Sequence, residues 1–518
     1  MPVHSTALMR RAAQTLAVLA LVLTISACAL GESEDGAGTA APEIAAAGAP
    51  ATTVVEAPVT STTSSTTTTT STTTTTLPPV IGAPHGTVTG LTMFRGNPSR
   101  TYYGEGTIPT DLEVLWRFPD SPMCGLSAVG GEQKQWCGSG WTGQPVVWER
   151  PDGITEVIFG AYDKQIHFLD ATTGERTRPD FPMGDIIKGS VTLDPDGFPL
   201  LYSGSRDPNF KVIALDRDTP TLLWSLAASD VPGMWNNDWD SNPAIVDGIL
   251  YQGGENSWWY AIELKRDYGA DGLVTVDPGI VFDMPAFNDA SLAAVGRQQS
   301  VENSTAVFQD RAYFANSAGR VVGVDIGALP DGEAQIVFDY WVGDDVDASI
   351  VIDEAGDLYV SAEIDHATSR GAEIGQLVKL DPDRPEDPVV WGVPVPSRDG
   401  LDGGIWATPA LVDDVLYVPT NPGDLLAVDT ATGAVLWTGD IGGHAWSSPV
   451  HIGGRLLVAV NCDTNPALRV YDVANPRNPA ILSEVTFAGG CIESTPAAWQ
   501  GQVFVGSRDG FFYALGER

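Results

Sequence analysis

Apolar and small polar residues alternate along this chain in short runs separated by Asp and Gly, and the pattern recurs eight times. The clearest copy spans residues 407–437 and ends in Leu-Leu-Ala-Val-Asp-Thr-Ala-Thr-Gly-Ala-Val-Leu-Trp. Alternation with a period of two predicts β-strands rather than helices. A repeat of roughly 40–60 residues built of short strands cannot bury both faces of its sheet alone, so the copies must pack against one another. The pattern therefore predicts an all-β, eight-bladed β-propeller of four-stranded antiparallel blades over residues 86–518.

The innermost strand of each blade begins at a recurrent small-residue phrase, commonly Ser/Thr-Pro, and the residue that precedes each phrase varies. In a propeller such positions surround the central channel, so we expect them to form one ring. In register they are Thr142, Lys188, Asp240, Glu302, Asp347, Trp406, Trp446 and Glu493. Four carboxylates, one lysine and two tryptophans around one space predict a site for a cation or a planar polar ligand. The alternative is a water-filled channel mouth that these residues merely solvate.

The last repeat lacks a fourth strand, because the chain ends soon after its third. Residues 112–118, Leu-Glu-Val-Leu-Trp-Arg-Phe, resemble the fourth-strand phrase around Trp437. We therefore expect this N-terminal segment to pair with the last blade and close the ring. Closure of this kind removes an exposed sheet edge, which would otherwise favour association.

The N-terminus has the features of an export signal. Arg10 and Arg11 precede an apolar run that ends in Ile-Ser-Ala-Cys28, and the run is too short for a mature membrane-spanning helix. The final four residues resemble a bacterial lipobox, which predicts a signal peptide at 1–27 and lipidation of Cys28; an ordinary secretory signal is the alternative. Residues 28–85, rich in Ala, Pro and Thr, predict a disordered tether. The protein should then lie at the extracytoplasmic face, at the cell surface or in the periplasm, with the lipid as its only membrane anchor.

The four remaining cysteines fit an exported protein, in which an even number favours disulfides. The most economical pairing joins Cys124 to Cys137 and Cys462 to Cys491.

Charge and missing motifs exclude several functions. The formal net charge of −38 argues against nucleic-acid binding, which needs a basic surface. The sequence contains no Walker-type phosphate loop, no Gly-x-Ser-x-Gly elbow and no His-Glu-x-x-His helix. The acidic residues are spread over turns and strand ends, which is typical of a solvated surface. We expect a monomer.

The repeat resembles that of the pyrroloquinoline-quinone (PQQ) type of β-propeller. The resemblance is carried by the Asp-x-x-Thr-Gly turn and docking Trp of residues 427–437 and by the lead-in Met-Phe-Arg-Gly-Asn-Pro-Ser-Arg-Thr at 93–101. It covers residues 86–518 and implies the propeller fold. The family contains quinoprotein dehydrogenases and also non-enzymatic lipoproteins, such as the propeller of the outer-membrane barrel-assembly machinery, so the resemblance alone does not imply an activity.

In the quinoprotein dehydrogenases, calcium and PQQ lie at the channel mouth, beside an Asp that acts as the base. Residues 234–243, Met-Trp-Asn-Asn-Asp-Trp-Asp-Ser-Asn-Pro, look similar to the segment that carries this Asp. The resemblance would make Asp240 or Asp238 the base, with Glu302, Asn236 and Asn237 as calcium ligands. The adjacent Cys-Cys pair and the Gly-Ala-Glu-x-Gly segment of those enzymes are missing, which puts the enzymatic role in doubt.

Three functions remain. The favoured one is a lipid-anchored, non-catalytic binding or scaffold module of the bacterial cell envelope, with a protein, peptide or glycan partner and no cofactor. The alternatives are a PQQ- and calcium-dependent alcohol or sugar oxidoreductase, and a cation or small-ligand sensor that uses the acidic ring.

Overall fold

The computed structural model describes residues 81–129, 132–329, 333–398, 400–460, 462 and 465–518. The predicted signal peptide, Cys28 and nearly all of the predicted tether lie outside these ranges. Within them the chain forms the predicted propeller of eight blades. Five strands precede the first blade: β1 (Gly90–Leu91), β2 (Gly104–Glu105), β3 (Glu113–Phe118), β4 (Cys124–Val129) and β5 (Glu132–Cys137).

The first four blades follow in chain order. Blade one has β6 (Val146–Glu149), β7 (Thr155–Gly160), β8 (Gln165–Asp170) and β9 (Phe181–Pro182). Blade two has β10 (Thr192–Leu193), β11 (Leu200–Ser203), β12 (Asn209–Ala214) and β13 (Thr221–Ala227). Blade three has β14 (Ala244–Val246), β15 (Ile249–Gly253), β16 (Trp258–Glu263) and, after an inserted hairpin of β17 (Arg266–Tyr268) and β18 (Val274–Val276), β19 (Gly279–Pro285). Blade four has β20 (Ala306–Phe308), β21 (Arg311–Ala315), β22 (Arg320–Asp325) and β23 (Gln335–Trp341).

The remaining blades repeat the arrangement. Blade five has β24 (Val351–Ile352), β25 (Leu358–Ser361), β26 (Leu377–Leu380) and β27 (Val389–Val393). Blade six has β28 (Ala410–Val412), β29 (Val415–Pro419), β30 (Asp424–Asp429) and β31 (Val435–Asp440). Blade seven has β32 (Val450–Ile452), β33 (Arg455–Val460), β34 (Ala467–Asp472) and β35 (Ala480–Thr486), and blade eight has β36 (Ala497–Trp499), β37 (Gln502–Gly506) and β38 (Phe512–Gly516). Two short helices, α1 (Asp289–Val295) and α2 (Ser369–Ile374), and a 3-10 turn at Ala228–Asp230 were not predicted.

Burial explains the repeating pattern. Second strands such as β15 and β25 are buried at every position, because neighbouring blades cover both of their faces. Fourth strands such as β35 alternate between exposed and half-buried positions, because they lie at the rim. The apolar core therefore consists of clusters that lie between neighbouring blades, such as the one between blades one and two, as expected for units that cannot fold alone.

The Ser/Thr position of the repeated phrase joins neighbouring blades. The backbone N–H of Ser304 donates to Ser349 Oγ at 2.9 Å, and the N–H of Ser349 donates to Thr408 Oγ1 at 2.9 Å. The N–H of Thr408 donates to Ser448 Oγ at 3.0 Å, and that of Ser448 to Thr495 Oγ1 at 3.2 Å. These bonds form a belt at the start of the innermost strands, where a buried N–H without a partner would be costly.

The predicted closing strand is confirmed. β3 pairs antiparallel with β38 and supplies the fourth strand of blade eight, with Arg117 opposite Tyr513. The sequence did not predict two further N-terminal pairings. β2 runs parallel to β36 inside blade eight, and β1 pairs antiparallel with β6 of blade one. The N-terminal segment therefore ties the last blade to the first.

Between β1 and β2 the chain forms a buried plug, residues 92–103, against the inner ends of the blades. Arg95 and Arg100 are fully buried. The Arg95 guanidinium donates to the carbonyl oxygens of Pro409, at 2.6 Å, and Pro449. Arg100 donates to the carbonyl oxygens of Phe94, at 2.8 Å, and Thr305. Burial lowers the pKa of both guanidinium groups. That of Arg100 falls to about 9, so this group stays charged at neutral pH.

Both predicted disulfides, Cys124–Cys137 and Cys462–Cys491, are present. The first joins the base of the β4–β5 hairpin, where these two cysteines face each other across the strands. The second joins the end of blade seven's second strand to the segment before blade eight. Both are therefore close to the channel mouth.

The substitution Arg95→Met should destabilise the propeller by about 3 kcal/mol or more, because each carbonyl left buried without a donor costs about 1–3 kcal/mol. Urea unfolding followed by circular dichroism measures this change. Arg297→Ala, at an exposed arginine, is the matched control and should change the free energy of unfolding by less than about 0.5 kcal/mol. Equal unfolding midpoints for Arg95→Met and the wild type would contradict the role given to the plug.

Candidate functional site

The eight ring positions share one structural position. Each lies four residues before its innermost strand, as Thr142 precedes β6 at Val146 and Glu493 precedes β36 at Ala497. Five of the eight line one small cavity on the axis, of about 20 Å³, whose lining also includes Phe94 of the plug. This volume is about that of one water molecule or ion. The other three each contact one of these five, so the structure brings all eight positions together around the channel mouth.

One side of the channel mouth is aromatic. Trp406 and Trp446 stack with their ring centroids 4.3 Å apart. Trp141, which the ring prediction missed by one residue, lies 4.6 Å from Trp446 and 6.2 Å from Trp406. All three indoles are half-buried. We call these three residues the tryptophan cluster.

The other side is acidic and contains one lysine. Lys188 forms an ion pair with Asp240 and lies 3.8 Å from Glu255, with its Nζ 5.4 Å from the centre of the Trp141 ring. Carboxylate oxygens of Asp240, Glu255 and Glu302 lie within 4.8 Å of one another. Oδ1 of Asp240 has no hydrogen-bond partner among the described residues. The side chains therefore hold more negative charge than the lysine balances.

This crowding shifts the protonation of the acidic side. Burial, followed by the charge of Asp347, raises the pKa of Glu302 to about 8. Burial, followed by the charges of Glu302 and Asp238, raises the pKa of Glu255 to about 7. Burial also raises the pKa of Asp240 to about 7, against the opposing charge of Lys188. Burial opposes the charge on Lys188, but the carboxylates outweigh it and raise its pKa well above the ordinary value. Near neutral pH the site therefore holds protons that exposed carboxyl groups would have lost.

The remaining predicted residues occupy the edge of the site. Thr142 donates its backbone N–H to the Glu493 carbonyl at 3.2 Å, and the Glu493 carboxylate lies 3.6 Å from Arg508. Asp238 pairs with Arg206 at 3.2 Å. The amide of Asn236 donates to Glu255 at 2.7 Å. Asn237 is exposed on the same loop.

Several site residues belong to a second ring that the sequence analysis missed. Each lies two residues after the second strand of its blade: Tyr162, Ser205, Glu255, Ser317, Glu363, Asn421, Cys462 and Arg508. Glu363 is buried, and its pKa is raised well above the ordinary value by burial and by Asp347 and Asp345. Aligning the ends of the second strands, as was done for the starts of the first, would have found them.

The space between Trp406 and Trp446 does not admit the planar ring of PQQ. A planar ring held between two indoles needs roughly 7 Å between them, twice a contact distance of about 3.5 Å, whereas the Trp406 and Trp446 centroids are 4.3 Å apart. The Trp239 ring is in the core, where its Nε1 donates to the Pro208 carbonyl at 3.1 Å. Asp240, the candidate base, is paired with Lys188. We therefore derive no redox step at this site.

Residues 375–479, which run from the third strand of blade five to the turn before the last strand of blade seven, match a family model described as outer membrane protein assembly factor BamB. No curated protein matches the chain by sequence. None of the helices in the described ranges is long and apolar enough to cross a membrane.

Solved structures share the fold at low sequence identity. Quinohemoprotein alcohol dehydrogenase from Comamonas testosteroni is 13% identical with a TM-score of 0.54, over 83% of this chain and 81% of that one. Sqt1 from Saccharomyces cerevisiae is 9% identical with a TM-score of 0.51, over 69% and 92%. BamB from Moraxella catarrhalis is 12% identical with a TM-score of 0.40, over 79% and 100%. At these identities the first two similarities, with TM-scores above 0.5, show the propeller fold alone.

The raised carboxyl pKa values predict that stability falls as pH rises. Between pH 5 and 8 the folded protein binds more protons than the unfolded chain, whose carboxyl groups titrate near pH 4, so the free energy of unfolding decreases across this window. Each extra proton held contributes about 1.4 kcal/mol per pH unit. Glu302→Gln, which cannot ionise, should flatten the slope, as measured by urea unfolding at each pH. Asp218→Asn, at an exposed bend, is the control; equal slopes in all three proteins would contradict the prediction.

Proposed function

We propose that this chain, a β-propeller built of PQQ-like repeats, is a non-catalytic binding or scaffold module at the extracytoplasmic face of a bacterial cell envelope. Its partner is a protein, peptide or glycan that docks on the channel mouth, and the tryptophan cluster forms the centre of the contact.

The tryptophan cluster is the observation that carries this proposal. Trp141, Trp406 and Trp446 come from segments far apart in sequence, and their contacts fix one another in place. Three half-buried indoles at an open mouth offer a rigid apolar surface that loses little conformational entropy on binding. Tryptophan is among the residues that contribute most to binding at interfaces, particularly near their centres. An acidic border beside the cluster would add orientation and specificity.

The match to an assembly-factor family supports a protein partner. The matching residues, 375–479, include Trp406 and Trp446. That description names an assembly factor. We carry over only this class of function, because the match covers part of the chain.

The predicted N-terminal signal and the disulfides support the proposed location. Disulfides persist in oxidising compartments outside the cytoplasm, and the structure has two. If Cys28 is lipidated and the predicted tether of residues 28–85 is a flexible chain, the propeller would have a reach of about 40 Å, from roughly 5–6 Å times the square root of the tether's length. That reach would let the mouth engage a partner on or near the membrane.

Replacing Trp406 or Trp446 with Ala should weaken partner binding by about thirtyfold, because central aromatic contacts are worth about 2 kcal/mol or more. The measurement is binding of the labelled full-length protein to peptide and glycan arrays, followed by titration of the best ligand. Removing either indole should weaken the same ligands.

Trp148→Ala is the matched control for these variants. Trp148 pairs with Gly90 of β1, at the end of β6 remote from the mouth, so its loss should leave binding unchanged. Ligands that bind wild type and both mouth variants equally, or that are lost equally in the control, would contradict the proposed site.

Cys28→Ala should release the protein from the membrane fraction, because one acyl-modified cysteine is the only anchor proposed. Fractionation of cells that express the full chain, with metabolic labelling by a fatty acid, measures this. Cys28→Ala should lose both label and membrane association, whereas Ser26→Ala, which keeps the cysteine, should retain both. Labelled protein in the Cys28→Ala strain would contradict the anchor.

A further inference from the structure

We propose that Asp345, Asp365 and His366 form a binding site for a divalent transition-metal ion of the Zn²⁺ class, between blades four and five beside the channel mouth. The inference is independent of the proposed function, because it uses none of the residues of the tryptophan cluster.

The three side chains converge on one point. One carboxylate oxygen of each aspartate and one ring nitrogen of His366 lie within 4.8 Å of one another. Nδ1 of His366 is 3.8 Å from Oδ2 of Asp365. Ligand atoms that share one tetrahedral Zn²⁺ at about 2.1 Å lie about 3.4 Å apart, so side-chain rotations would bring the three groups onto one ion.

The hydrogen bond of His366 leaves the other ring nitrogen available to a metal. Nε2 lies 2.8 Å from the Ser317 carbonyl oxygen. A carbonyl can only accept, so Nε2 carries the proton and, in the neutral ring, Nδ1 presents a lone pair. That nitrogen faces the Asp365 carboxylate at 3.8 Å, which is too long for a hydrogen bond. Two acceptors then face each other, and a cation between them would satisfy both. Metal-binding histidines are commonly held in this way by a carbonyl on the far nitrogen.

Asp345 supplies a second, independent sign of a missing ligand. Its side chain is nine-tenths or more buried, with 5% of the residue exposed, and its Oδ1 has no hydrogen-bond partner of normal geometry among the described residues. The nearby Ser317 hydroxyl is hydrogen-bonded to Ser300 at 2.6 Å. The Gln298 amide donates at 3.1 Å to Oδ2 of both Asp345 and Asp365. No lysine or arginine in the described ranges forms an ion pair with Asp345, so a bound cation would supply the charge that an ionised carboxylate at this buried position needs.

One buried carboxylate holds the backbone of all three proposed ligands. Oδ1 of Asp344, a residue that is 1% exposed, accepts the backbone N–H of Asp345 at 3.0 Å, of Asp365 at 3.1 Å and of His366 at 2.8 Å. The two segments that carry the ligands are therefore fixed relative to each other before an ion arrives. Such support makes a site preorganised for its ion.

The donor set selects the class of metal. Calcium and magnesium prefer oxygen ligands alone, whereas an imidazole nitrogen with two carboxylates suits zinc and its neighbours. Asp365 is half-exposed, with 49% of its side chain accessible, so solvent ions can reach the site. Three protein ligands leave at least one coordination position for water or for a fourth ligand.

The test uses the purified full-length chain, Zn²⁺ in isothermal titration calorimetry, and Co²⁺ as a spectroscopic substitute. We expect His366→Gln and Asp365→Asn each to lose one metal equivalent per chain or to weaken its binding by at least about tenfold, the smallest effect typical even of a ligand's supporting residues. Both variants should also lose the visible Co²⁺ absorption of that equivalent. Melting temperatures measured without metal should match the wild type, which shows that the fold is retained.

Two control variants make the result specific. His451→Gln removes a histidine from a different blade, and Asp240→Asn alters the acidic side of the mouth; both should bind Zn²⁺ as the wild type does. The proposal is overturned if the full chain binds no Zn²⁺, if His366→Gln and Asp365→Asn bind it unchanged, or if only Asp240→Asn loses it.

Discussion

The plug of residues 92–103 is the constraint on which the rest of the structure depends. Two buried guanidinium groups have backbone carbonyls instead of carboxylates as partners. Burying a charge is costly unless its hydrogen bonds are made, so Arg95 and Arg100 are tolerable only if the inner ends of blades four, six and seven sit in one fixed place. The plug's backbone also bonds to other blades. For example, the backbone N–H of Ile352 in blade five donates to the Ser99 carbonyl of the plug. Burial of the plug therefore requires a closed ring.

This constraint also determines where a site can form. Phe94 of the plug lines the axial cavity together with Ser304, Ser349 and Thr408 of the belt and five residues of the ring. Residues in the belt are constrained because their hydroxyls join neighbouring blades. The ring positions, four residues before each innermost strand, are not constrained in this way. Their side chains can therefore be charged or aromatic. The variable positions of a regular repeat are thus the ones that packing leaves to function.

The sequence was sufficient for the fold because each level of pattern agreed with the next. Strand alternation, the recurrent phrase and the fourth-strand likeness of residues 112–118 all pointed to one closed ring, and cysteine parity pointed to the two disulfides. The site was predicted only where register could be counted from a marked strand start. Trp141 escaped because it lies one residue before a ring position, and Glu363 escaped because it follows a second strand instead of preceding a first one. The role of Arg95 escaped because nothing local distinguishes a buried arginine that binds carbonyls from an exposed one.

The candidate site differs from the rest of the fold because it holds buried carboxyl groups close together. Glu255, Glu302 and Asp240 crowd against a single lysine, and their raised pKa values show that the fold loses stability by holding them together as pH rises. A short loop could relieve this repulsion by moving apart. Here Asp240 and Glu302 each lie four residues before an innermost strand, and Glu255 lies two residues after a second strand. These strands are held by the neighbouring blades, so the crowding persists. Repulsion between buried groups that a rigid fold holds in place is common at functional sites.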